Sequence, residues 1–79
     1  VAVVNLVTSD HWQGLYVNGI VRWQGTRVPV YHALAALRGI TVSSFKEYWL
    51  DELTFFEIGG ELPRSIDDIP RTKMSYTGL

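Results

Sequence analysis

Gly14-Leu15-Tyr16-Val17-Asn18-Gly19-Ile20-Val21-Arg22-Trp23-Gln24-Gly25 is the stretch whose reading decides the fold. Asn18-Gly19 stands between two β-prone runs. A type I′ turn needs φ > 0 at both central residues, which Asn and Gly reach at least cost. If Val17 and Ile20 close the turn, Tyr16 falls opposite Val21, Leu15 opposite Arg22, and Gly14 opposite Trp23. Alternation then gives one face Trp12, Tyr16, Val21 and Trp23, and the other Leu15, Val17, Ile20 and Arg22.

Upstream, Val1 to Thr8 is apolar at nearly every position and mostly β-branched, which is how a strand in the middle of a sheet reads. Ser9-Asp10-His11 separates it from the hairpin arms, 12–17 and 20–25. Downstream, Pro29 suits the first position of a helix, and Val30, Ala33, Leu34 and Leu37 form one apolar stripe. Gly39 fits the left-handed position that ends it, with Arg38 near the negative helix end.

Ile40-Thr41-Val42-Ser43 reads as a short strand. Ser44 and Glu47 have capping-box spacing and predict a second helix running to about Ile58, closed by Gly59-Gly60. Thr54 to Ile58 is β-branched and aromatic enough to read as strand instead. Pro63 and Pro70 bracket a single helical turn started by Ser65. The expected architecture is α+β in the order β-β-β-α-β-α, a small, largely antiparallel sheet with one or two helices packed on one face. Residues 1–70 are expected as one domain, and 71–79 as a tail, mobile or paired with a partner.

The motifs Leu15-Tyr16-Val17-Asn18-Gly19, Gln24-Gly25, Trp49-Leu50-Asp51-Glu52 and Gly59-Gly60-Glu61-Leu62-Pro63 resemble a group of small uncharacterised open reading frames of bacteria and their phages. In that group the hairpin reads LYVDGK with Gly-His after it, and the end reads WLEE, Gly-Gly, Leu-Pro. The likeness covers roughly residues 12–69. Thr26 departs from it, standing where the group has His, and Leu53–Ile58 is added helix. The resemblance implies the fold and a phage or accessory-gene origin.

With 79 residues the chain is one small domain, and a domain of this size buries only ~60% of its unfolded surface. It has no Cys, which excludes thiolate metal sites and nucleophiles and favours a reducing cytoplasm. The opening apolar run is too short to span a membrane. Charge is uneven. Residues 1–46 carry Arg22, Arg27, Arg38 and Lys46 against Asp10, a net +3. Residues 47–79 carry Arg64, Arg71 and Lys73 against seven acids, a net −4. That asymmetry permits head-to-tail self-association or an oppositely charged partner.

Catalytic and metal chemistry find little support. His11 and His32 are unrelated in sequence, and with only Asp10 nearby they are not a ligand set. His32 is expected on the solvent side of its helix. Ser9, Asp10 and His11 are neighbours whose side chains alternate, so they do not make a triad. Asp51, Glu52 and Glu57 read as a solvated helix face, and the glycines never take a phosphate-loop spacing. No cofactor or metal is expected, and the slightly negative charge weighs against nucleic acid.

The aromatic content favours binding. Trp12, Trp23, Tyr31, Tyr48 and Trp49 are more than a core of this size needs. Trp12, Tyr16, Arg22, Trp23, Arg27, Tyr31 and Trp49 are the candidate binding residues. The expected function is a non-enzymatic module that binds a protein or a second copy of itself. The alternative is a small-ligand site in which Trp12, Tyr16 and Trp23, with Arg22 or Arg27, sandwich a nucleotide-like molecule.

Overall fold

The computed structural model describes residues 1–78. Five strands, β1 (Ala2–Thr8), β2 (Gln13–Val17), β3 (Ile20–Gly25), β4 (Val42–Leu50) and β5 (Met74–Gly78), form one sheet in the order β3-β2-β1-β4-β5. Helices α1 (Val30–Ala36) and α2 (Glu52–Glu57) complete an α+β domain in the expected order. The sheet is mixed, because β1 pairs parallel with β4 while the other three pairings are antiparallel. As its composition predicts, β1 is central. Its alternate side chains feed two cores, Ala2 and Val4 on one face and Val7 on the other. The helices sit on opposite faces rather than together on one: Ala33 and Ala36 of α1, with Leu37 just after it, pack over the first core, and Phe55 of α2 in the second.

The hairpin turns where expected, with Asn18 at φ 52° and Gly19 at φ 83°. Asn18 also ties the turn to β1, because its Oδ1 accepts from the Val3 N–H at 3.0 Å. Val17 pairs with Ile20, and Tyr16 with Val21. Beyond that point the expected register fails. Leu15 pairs with Trp23 and Gly14 with Gln24, which leaves Arg22 as the extra residue of a β-bulge. One added residue reverses the parity of all that follows. Trp23 therefore joins the face of Leu15, and Gln24 takes the place expected of Trp23 beside Trp12 and Tyr16.

Helix α1 begins at Val30, because Pro29 is extended and caps it instead of taking the first helical position. It leads to Gly39, left-handed as predicted at φ 74°. Its rotation differs from the expected stripe. Ala33, Ala36 and Leu37 turn to the sheet, while Val30 and Leu34 stay 74% and 67% exposed. His32 is not on the solvent side; its ring stacks on Trp23 with centroids 5.5 Å apart.

The second helix is shorter than predicted, because Ser44 to Leu50 is strand. The Ser44–Glu47 spacing is a local signal, and it loses to seven residues of pairing between β4 and β1. The helix starts instead at Asp51, whose Oδ1 accepts from the Thr54 N–H at 2.7 Å. Thr54 to Glu57 is helical, which resolves the ambiguous stretch, and Gly59-Gly60 follows with positive φ at both residues. Ser65 starts a 3-10 turn over Ile66–Asp68, as expected. Residues 71–78 are not a free tail. A second 3-10 turn, Arg71–Lys73, leads into β5, which pairs with β4 of its own chain; Leu79 lies outside the described residues.

The face carrying α2 is closed by the segment after that helix, gripped largely through its main chain. Gln24 Oε1 accepts from the Leu62 N–H at 2.8 Å and from Trp12 Nε1 at 2.9 Å, and its Nε2 donates to the Leu62 carbonyl at 2.8 Å. Tyr16 donates its hydroxyl to the Pro63 carbonyl at 2.6 Å. Val21 N–H donates to the Arg64 carbonyl and Ile66 N–H to the Gly19 carbonyl. Gly14 makes the approach possible, since a Cβ there would collide with Leu62. Beneath this strap Tyr16, Val7, Leu50, Phe55, Leu62, Ile66 and Ile69 form a continuous buried cluster.

Candidate groove beside helix α1

The other face is not closed. Helix α1 lies toward β2 and β3, held by its alanines against Leu15 and Val17 and by His32 against Trp23. Trp23 can lie flat because the next residue on its face is Gly25, where a Cβ would strike the indole. No described helix covers β4 on this face, so Phe45 and Trp49 are partly exposed there. Alternation puts Trp49 on this side, since its neighbour Leu50 is buried in the opposite core.

Between α1 and the uncovered strands lies an open groove of about 360 Å³. Its floor is Leu6 and Leu15 with Phe45 at the far wall, and its near wall is Val30, Ala33, Leu34 and Leu37. Val28, Gln13 and Arg27 close one end. Gln13 is already engaged, with its Oε1 accepting from the Val28 N–H at 2.8 Å. Arg27 is exposed and makes no ion pair among the described residues. Glu47 shares this sheet face, but Thr8 donates to its carboxylate at 3.5 Å. The groove is thus apolar along its length, with one cation at its mouth.

The structure scatters the sequence-predicted residues. Tyr16 is fully buried and Trp12 half-buried; both belong to the α2 face. Burial, and secondarily the charge of Asp68, raises the Tyr16 hydroxyl's pKa, so it remains a neutral donor. Trp23 lies on the opposite face, so these three rings form no common platform. Arg22 stands exposed on the bulge, and Tyr31 is exposed on α1 with its ring edge-on to His32. Arg27 alone of the seven lines the groove. Leu34, Val30, Leu6 and Phe45 were not read as site residues; the only signal was that a helix with three alanines has few side chains large enough to fill a core.

Among the described residues no group of three or more His, Asp or Glu could hold a metal ion, and no helix is long and apolar enough to cross a membrane. Comparison with protein-family models, with curated proteins and with solved structures finds no match.

Proposed function

We propose that the protein is a non-enzymatic binding module that takes an apolar segment of a protein partner into the groove beside α1. One observation carries this reading. A helix of seven residues leaves Val30 and Leu34 in solvent at the lip of an apolar channel, and contiguous exposed apolar surface of that kind marks an interaction site. Apolar centre and charged rim are the usual anatomy of a protein interface. A groove flanked by one helix suits a segment presenting two side chains at helical spacing. The phage or accessory-gene origin implied by the hairpin motif fits a module that works by occupying a host protein.

A display library of random peptides tests this reading. Selected peptides are expected to carry paired apolar residues at i, i+3 or i, i+4 with acidic neighbours, and to lose binding to Leu34→Glu. Recovery of peptides that bind Leu34→Glu as well as wild type would overturn the reading, provided circular dichroism shows the variant folded. A small apolar ligand is the second reading, favoured by a volume at the lower end of the range of small-molecule pockets, ~300–1,000 Å³.

A further inference from the structure

Helix α2 carries a second exposed apolar patch. Leu53 is 72% and Phe56 62% exposed, while Thr54 and Phe55 are buried beneath them. At 3.6 residues per turn, the outward face runs Glu52, Phe56, Leu53, Glu57 around the helix axis. Two large apolar side chains are thus bracketed by two carboxylates. The groove beside α1 has the converse arrangement, an apolar channel with Arg27, which makes no ion pair among the described residues, at its mouth. The patch and the groove lie on opposite faces of the sheet, since Phe55 belongs to one core and Ala33 and Leu37 to the other. A chain therefore cannot seat its own α2 in its own groove.

We infer that the groove's occupant is a second copy of this chain, with Leu53 and Phe56 of one α2 entering beside α1 of the next. This inference rests on the groove being a protein-binding site and names its partner. Charge complementarity selects this occupant, because the patch brings Glu52 and Glu57 toward Arg27. It also matches the division of the chain into a basic first part and an acidic second part. Two different surfaces meet, so the contact is heterologous. Each copy keeps one free groove and one free patch, and assembly continues into a ring or an open chain instead of stopping at a two-fold dimer.

Light scattering behind a sizing column tests the arrangement. The wild-type chain is expected to grow in mass with concentration and to dissociate in high salt, which screens the charged rim. Leu34→Glu and Phe56→Glu, both at exposed positions, should each stay folded and monomeric, with dissociation constants raised more than about tenfold. An equimolar mixture of the two variants should form a one-to-one dimer and nothing larger, since one intact groove then meets one intact patch. Arg27→Glu should weaken assembly, and Glu57→Arg in the same chain should restore part of it.

A wild-type chain that stays monomeric at every concentration overturns the inference, as does a mixture that stays monomeric. So does a Phe56→Glu chain that assembles like wild type, which would point to pairing along β5. If display peptides still bind the groove in any of these cases, only the occupant is wrong. If they do not, the groove reading fails as well.

Discussion

The two faces of this sheet each carry one short helix and end in opposite states. On one, a short helix and a strap of about a dozen residues enclose Tyr16, Leu50 and Phe55, the strap hydrogen-bonded to the sheet at Leu62, Pro63, Arg64 and Ile66. On the other, α1 sits to one side and leaves a channel between itself and β4. The difference follows from side-chain size. The alanines of α1 pack on Leu15 and Val17 but give it nothing to reach Phe45, whereas Phe55, Leu62 and Ile66 reach their neighbours. One face holds the domain together, and the other is left to meet something else.

Paired truncations put that division to its hardest test. Leu50→Ala on the closed face should cost about 3 kcal/mol of unfolding free energy in a denaturant titration, through lost transfer energy and an unfilled cavity. Leu34→Ser on the open face should change it by no more than about 0.5 kcal/mol while weakening association. Equal losses at both sites would erase the distinction.

Gln24→Leu is next in size. It strips partners from Trp12 Nε1 and from both main-chain groups of Leu62, and is expected to cost about 2 kcal/mol by the same titration.

Tyr16→Phe removes one bond, to the Pro63 carbonyl, and should cost about 1 kcal/mol near neutral pH. Its pH dependence has a definite sign. The folded pKa is raised above the ordinary value near 10. The wild-type advantage is therefore full below that value and is lost as pH rises from there toward the folded pKa. Melting temperatures of the two proteins should converge in alkali.

The smallest effect belongs to Asp51. Hydrogen bonds from Thr54, the backbone N–H first and the hydroxyl second, lower its folded pKa, with Lys73 adding a little. Its contribution is present above the unfolded carboxylate pKa and fades as pH falls through the folded one. Asp51→Asn keeps an acceptor that does not titrate, so this part of the acid-induced fall in melting temperature should disappear.

What could be read from sequence alone was what short spans of chain determine. Asn18-Gly19, the helix between Pro29 and Gly39, and the Ser65 turn each announce themselves within a few residues, and each is within a residue or two of where it was expected. The losses came from contacts distant in sequence. Ser44 and Glu47 have the spacing of a helix start, and only β1, some forty residues earlier, makes them strand. Trp23 was assigned to the wrong face because one residue at Arg22 bulges out of a ladder that alternation assumes unbroken. The groove was hidden because Val30 and Leu34 make the same stripe whether or not anything covers it. Arg27 was legible as a binding residue, but its apolar neighbours were not.

The strap after α2 is addressed by its peptide groups. Gln24, Tyr16, Val21 and Gly19 hold the amides and carbonyls of Leu62, Pro63, Arg64 and Ile66. A carboxamide that imitates a neighbouring strand reads no side-chain identity, so Glu61 and Arg64, pointing into water, are spellings the fold does not check. Substitutions at those two positions therefore rewrite the outward character of that edge without disturbing the lock beneath.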